Sequence, residues 1–219
     1  MRHSTQNYLK AIYSFVEIDD KLIVKVNELA KKLNTSTPSV SEMIKRLEQD
    51  GYVKNQPYKG VRLTKKGLDI GKNMTRHHRI WETYLNKVLG FTWDEVHDEA
   101  ELLEHASSTK VIDKLEELMG FPPFDPHGNP IPDRVGNVPL IKDEKLLSDC
   151  NVGDSFKIVR FVDLDKHYLT YLENSGVKLQ SQLKIKDILD FDGTMVCSLY
   201  NQQLNFSRVA AKHIFVTLK

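Results

Sequence analysis

VNELAKKLNTSTPSVSEMIKRLEQDGYVKNQPYKGVRLT, residues 26–64, holds two helix-forming runs, a short polar turn and a glycine-containing hairpin, in that order. Val26, Leu29, Ala30 and Leu33 recur at helical spacing on one face of the first run. Asn34-Thr35 interrupts it. The second run extends from Thr37 or Pro38 to about Gln49. Ser36 or Thr37 is its N-cap and Pro38 its N1 residue, the first of the helix, where a missing N–H does no harm. Gly51 ends it. The period then changes, and two short β-like runs flank Pro57-Tyr58-Lys59-Gly60 as a hairpin. Helix, short turn, helix and hairpin is the order of a winged helix-turn-helix, whose second helix enters a DNA major groove.

A helix that enters the groove needs small polar residues in its first turn, so that it can approach bases and phosphates closely. Ser36, Thr37, Pro38, Ser39, Ser41 and Glu42 supply them, and Lys45 and Arg46 follow one turn on. Tyr58, Lys59 and Arg62 lie on or near the hairpin, where a cation meets phosphate. Charge supports this reading. Residues 1–73 carry 14 Lys/Arg against 8 Asp/Glu, a balance of 14 − 8 = +6. Residues 74–140 carry 6 against 12, or −6, and residues 141–219 carry 11 against 10, or +1. A basic first third suits nucleic acid, and an acidic middle suits cations.

Outward from this core, residues 4 to about 18 and 64 to 89 read as helices. Thr92 and Glu95 form a capping box for a helix carrying HDEAELLEH (97–105), and another helix runs from about Thr109 to Met119. FPPFDPHGNPIPDRVGNVP (121–139) contains most of the eight prolines and is a loop. FKIVRFV, QLKIKDIL, TMVCSLY and HIFVTL are strand-like, with Asp192-Gly193 as a hairpin turn and a short helix at Tyr168–Asn174. The expected fold is mainly α with small β parts, in three domains: 1–73, 74–140 and a β-barrel module at 141–219. The two cysteines, Cys150 and Cys197, are distant in sequence and read as buried hydrophobes of a reducing compartment. No apolar run is long enough to span a bilayer and the start is not signal-like, so no membrane partner and a cytoplasmic location are expected.

The acidic middle carries the second constellation. Positions i, i+3 and i+4 of a helix share a stripe. His97, Glu101, Glu104 and His105 therefore line up, and His78 and Glu82 pair on the preceding helix. Carboxylate oxygens and imidazole nitrogens without a thiol suit Mn²⁺, Fe²⁺ or Zn²⁺. His77 faces elsewhere and reads as packing. Glu-Leu-Leu-Glu-His approaches the H-x-x-E-H pattern of inverted zinc peptidases, but Glu101 stands where the first histidine belongs, so an enzyme is not expected. A metal-binding or storage protein without regulatory DNA binding is the alternative reading.

YLKAIY, TPSVSEMIKRLEQDGYV, LTKKG, HRIWETYL, HDEAELLEH and PHGNPIP, taken together, resemble the diphtheria toxin repressor / manganese transport regulator family over essentially the whole chain. The resemblance implies a winged helix-turn-helix, a helical dimerisation domain and a C-terminal SH3-like (FeoA-like) domain. It also implies a homodimer that binds double-stranded operator DNA when loaded with metal and controls metal-uptake genes. It places a corepressor site at Glu101, Glu104, His105 and Asn7, and an ancillary site at His78, Glu82 and His97 with Asp165 added from the third domain, giving two ions per subunit. Glu101 stands where iron-type members have Cys, which favours Mn(II) with Fe(II) a close second. Asn7 departs from the Asp of manganese-type members, and Lys10 stands where some members have a further carboxylate. Two further expectations concern contacts: the SH3-like domain meets the Pro-rich linker, and Glu104→Ala abolishes the metal response with the fold intact.

Overall fold

The computed structural model describes residues 2–19, 22–162, 166–199 and 202–218. The N-terminal module consists of α1 (His3–Asp19), α2 (Val26–Lys32), α3 (Thr37–Gln49), β1 (Val53–Gln56) and β2 (Gly60–Leu63). Ser36 caps α3, its side chain accepting from the Ser39 amide. The helix begins at Thr37, so Pro38 is its second residue rather than its first. Val40, Ile44 and Leu47 are buried at helical spacing, which leaves the opposite face of α3 exposed. β1 and β2 form an antiparallel hairpin with Val53 opposite Leu63. Val24 bridges to Val61 and stitches the start of α2 to the hairpin.

α4 (Lys65–Lys87) runs through two modules. Its first turns lie on α1. A Cβ at Gly71 would meet the Leu9 carbonyl oxygen and the Tyr13 Cβ at 2.8 Å each, so only glycine lets the two backbones approach this closely. Its later turns pack on α5 (Val96–Ala106) and α6 (Thr109–Leu118) through Ile80, Leu85, Val96, Ala100 and Ile112. α5 starts at Val96, later than a cap at Thr92 requires. The Glu95 carboxylate does accept from the Thr92 amide at 3.0 Å and hydroxyl at 2.8 Å, but these bonds close a separate turn ahead of the helix.

The C-terminal module contains β3 (Glu144–Leu146), β4 (Ser155–Phe161), α7 (Lys166–Asn174), β5 (Gln182–Ile188), β6 (Met195–Leu199), β7 (Gln202–Phe206), α8 (Arg208–Ala211) and β8 (Ile214–Leu218). Its six strands run in the order β3-β8-β4-β5-β6-β7. Among the described residues no strand pairing joins β7 to β3, so the expected barrel is an open, curled sheet. Phe156, Ile158, Ile185, Cys197, Phe206 and Val216 fill it. Both cysteines are free and buried there, as expected. β3 and β7 have no counterpart in the sequence reading, because both are short and polar on one side.

The segment 125–130 lies between the helical module and this sheet. Asp125 accepts from the backbone amides of His127 at 2.8 Å and Asn129 at 2.9 Å. Phe161 of β4 donates to the His127 carbonyl at 2.9 Å, and Asn129 Nδ2 donates to the Phe161 carbonyl at 3.0 Å. Gly128 has φ +86°, and a Cβ there would sit 2.2 Å from the Val159 oxygen. Trp93 closes the gap with its ring 5.6 Å from Phe161 and 6.0 Å from His127. Among the described residues no helix is long and apolar enough to cross a membrane.

Candidate metal centre and nucleic-acid interface

α1 reaches α5 through its polar face. Lys10 Nζ lies 2.5 Å from Glu101 Oε1 and 2.8 Å from both Glu104 oxygens. Gln6 Oε1 accepts from His105 Nδ1 at 2.9 Å. That bond fixes the tautomer and turns Nε2 of His105 toward the Glu101–Glu104 space, as an outer hydrogen bond does for a metal-binding histidine. His3 stacks on the His105 ring at 4.7 Å. His105 Nε2 and Asn7 Oδ1 are both buried without a hydrogen-bond partner. The orphaned His105 nitrogen lies 3.4 Å from Glu104 Oε1, and with the two carboxylates it makes a donor set that a divalent cation would satisfy. One ligand atom each from Glu101, Glu104 and His105 lies within 4.8 Å of the others.

His78 stands between this cluster and the next. Its Nδ1 donates to Glu104 Oε2 at 2.7 Å, and its Nε2 lies 3.0 Å from Glu82 Oε1 and 3.1 Å from His97 Nδ1. His97 Nδ1 is also 3.3 Å from Glu82 Oε1. The three residues expected at an ancillary site are therefore in mutual contact. Glu82 looks two ways, however. Its ligand atoms also group with those of Asp125 and His127, all three residues buried, whereas His78 and His97 group with Glu101. Asp125 and His127 come from the Pro-rich loop and were not among the sequence candidates; their only signal was an aspartate and a histidine flanking Pro126 in an otherwise apolar, turn-forming stretch. Asp165 lies outside the described residues. His77 packs as expected, buried against the Glu104 carbonyl and Asn73.

The electrostatics follow from burial and pairing. Burial alone would depress His78, but the Glu82 and Glu104 carboxylates outweigh it and hold the imidazole up to about 9. Burial would raise Glu104, yet His78 and Lys10 bring it below the ordinary carboxylate range. Glu82 is held well below that range against its burial, mainly by His78. Asp125 is pushed up to about 6 by burial and the Glu82 charge, against the pull of His127 and Arg79. The raised His78 value has a definite sign. Its contribution to the stability of the metal-free fold is full below about 6.5 and is lost as pH rises through about 9. A metal ligand must be the neutral imidazole. As a ligand of Mn²⁺ at neutral pH, His78 would have to give up this proton, about one per subunit. Calorimetry in buffers of different ionisation heat measures it, and His78→Gln should remove that release.

The basic domain is fastened to the rest by a second pair. Arg79 of α4 donates to both Glu17 oxygens of α1, at 2.6 and 2.7 Å, and to the Pro130 carbonyl at 2.5 Å. α1 is thus held by α5 at Gln6 and Lys10 and by α4 at Glu17, where Arg79 also bonds to the Pro-rich loop.

Within the N-terminal module, Ser36, Thr37, Pro38, Ser39, Glu42 and Lys45 are exposed, and Ser41 is half-buried with its hydroxyl on the Thr37 carbonyl at 2.9 Å. Glu42 is ion-paired with Arg46 one turn on. Tyr58, Lys59 and Arg62 are exposed on the hairpin, and Tyr58 has φ 63° at its tip. All the sequence-expected DNA contacts except half-buried Ser41 are therefore exposed.

Comparison with known proteins agrees with this layout. The model described as the N-terminal DNA binding domain of the iron dependent repressors matches residues 1–61. The one described as their metal binding and dimerisation domain matches residues 64–133, and the FeoA domain matches residues 145–218. The diphtheria toxin repressor of Corynebacterium efficiens is 30% identical over 205 residues, covering 88% of this chain and 86% of that protein. The iron-dependent repressor IdeR of Mycobacterium tuberculosis is 30% identical over 195 residues, 84% of each. Among solved structures, a manganese-dependent transcriptional repressor in complex with manganese superposes with a TM-score of 0.91 at 34% identity, over 98% of this chain and 100% of that one. The manganese regulator SloR gives 0.83 at 30%, over 98% of each.

Proposed function

This chain belongs to the iron-dependent repressor family and is a metal-dependent transcriptional repressor rather than an enzyme, and on that premise we propose how its residues divide the work. Asn7, Glu101, Glu104 and His105 hold the corepressor ion. His78, Glu82 and His97 form the ancillary site, to which we add Asp125 and His127. Mn(II) is preferred with Fe(II) close behind, two ions per subunit. The preference rests on an all-oxygen-and-nitrogen donor set, with Glu101 a harder ligand than a thiolate.

The observation that carries this reading is the pair of orphaned acceptors, Asn7 Oδ1 on α1 and His105 Nε2 on α5. When bound there, a divalent ion supplies the positive charge that lets donors from both helices converge. The chain's own residues do the rest. Gln6 holds α1 against His105, Glu17 holds its far end to Arg79, and α3 follows α1 through their shared core. Two α3 helices in a dimer must sit about 34 Å apart to enter successive major grooves. A fixed α1 narrows the separations sampled and so raises the competent fraction. Ser36, Thr37, Pro38, Ser39, Ser41 and Glu42 approach base edges, and Lys45, Tyr58, Lys59 and Arg62 meet the backbone. Leu102 and Leu118, about 70% exposed on α5 and α6, support a homodimer surface on the helical module. The bonds of residues 127–129 to β4 support a role for the SH3-like domain in holding the Pro-rich loop, and with it Asp125 and His127. A repressor of this kind works in the cytoplasm, on the chromosome.

The test is a gel-shift titration on the chain's own upstream region and on a metal-transporter promoter, with Mn²⁺, with Fe²⁺ under anaerobic conditions, and with chelator. Retardation at lower Mn²⁺ than Fe²⁺, weakened about ten-fold or more by chelator, is expected. Binding indifferent to metal would remove the corepressor role, and no binding at all would remove the repressor.

A further inference from the structure

Lys10 is the residue whose placement the metal-site reading does not use. It belongs to the DNA-binding module, yet its ammonium lies among three carboxylate oxygens of α5, contributed by Glu101 and Glu104. The Glu104 side chain is fully buried and that of Lys10 is 18% exposed. An ammonium has three donors and no acceptor, so three carboxylate oxygens use its whole capacity. The residues joined are 91 and 94 positions apart in the chain, so the contact links two modules rather than bracing one helix. Asn7, one turn earlier on α1, brings no charge. Lys10 is therefore what offsets the two carboxylates from the α1 side, and a pair of carboxylates this buried needs such an offset.

We infer that Lys10 is an internal counter-cation: a positioning residue that closes α1 on α5 in the metal-free protein and that an incoming divalent cation must displace. The inference rests on the reading of Glu101, Glu104 and His105 as ligands. Linkage fixes its consequences. A contact that stabilises the closed, metal-free state lowers the reference from which metal binds, so metal affinity falls by the factor by which closure rises. Lys10 thus raises the metal concentration at which the repressor responds and narrows the gap between its metal-free and loaded forms. A residue that only stabilises the fold would do neither.

The experiment uses the full chain, wild type against Lys10→Met and Lys10→Arg. Mn²⁺ binding is followed by calorimetry, and amide hydrogen exchange of α1 is followed in chelator. Lys10→Met should bind Mn²⁺ about ten-fold more tightly and exchange its α1 amides about ten-fold faster without metal, roughly the worth of one charge-assisted contact. Lys10→Arg, which keeps the charge, should restore the protection. Lys10→Gln repeats the test if methionine unfolds the chain. A Lys10→Met protein lacking either shift overturns the inference. Failure of the underlying reading looks different: wild type would then bind no Mn²⁺, or Glu104→Gln would bind it as wild type does, and both conclusions would fall. Wild-type binding that Glu104→Gln abolishes, with Lys10→Met unchanged, removes Lys10 alone.

Discussion

Glu104→Gln should lower Mn²⁺-dependent operator affinity about 100-fold, to or below the level of wild type in chelator. Glu104 of α5 bonds at once to Lys10 of α1 and to His78 of α4. Its Oε2 accepts from His78 at 2.7 Å, and both its oxygens accept from Lys10 at 2.8 Å. Glutamine keeps the shape and removes the charge. The site then loses a ligand oxygen of full negative charge, while the His78 imidazolium and the Lys10 ammonium keep only part of their counter-charge. Gel shifts with Mn²⁺ and with chelator read the loss. The sequence-based expectation for Glu104→Ala, a lost metal response with the fold intact, needs correction. The residue is 1% exposed, and truncating one partner of a buried charge network costs about 3–5 kcal/mol. The alanine variant should melt well below wild type, so glutamine is the cleaner probe. Metal-responsive operator binding by Glu104→Gln at wild-type strength would contradict the assignment.

Operator affinity of the loaded dimer should fall about 1000-fold between about 50 and 200 mM salt. Lys45, Lys59 and Arg62 are exposed, and as the proposed phosphate contacts they give two copies of three cations in a dimer. Six phosphates neutralised correspond to a log–log slope of about −5. Lys59→Ala removes two of the six and should make the slope shallower by about 2, weakening all duplexes alike. A substitution at Ser39 or Thr37, in the first turn of α3, should instead change the ranking of duplexes with little change in slope. Fluorescence anisotropy across a salt series separates the two. A slope unchanged in Lys59→Ala would remove the hairpin from the interface.

Much of this was legible along the chain. Ser36 or Thr37 as cap, Pro38 at the start and Gly51 as stop delimited α3, and the burial of Val40, Ile44 and Leu47 then left its other face exposed. On α5, spacing alone put Glu101, Glu104 and His105 together, because i, i+3 and i+4 neighbours are set by the helix itself. The interplay between modules was not legible. Asp125 and His127 sit in a loop, where no periodicity marks a ligand, and the loop is held by bonds to Phe161 on β4 and to Arg79 on α4. Lys10 looked like a position that had lost a carboxylate. Its meaning came from the close approach of α1 and α4 at Gly71, which carries the ammonium to Glu104.

By itself, then, the sequence determined the modules and the helix faces, since both depend on local spacing, capping and charge. The tertiary structure alone decided which faces meet: that one carboxylate of α5 serves a lysine of α1 and a histidine of α4 at once, and that Glu82 turns one oxygen toward each of two histidine pairings. Such choices follow from long-range packing, where a few ångströms of helix approach settle which buried charge finds which partner.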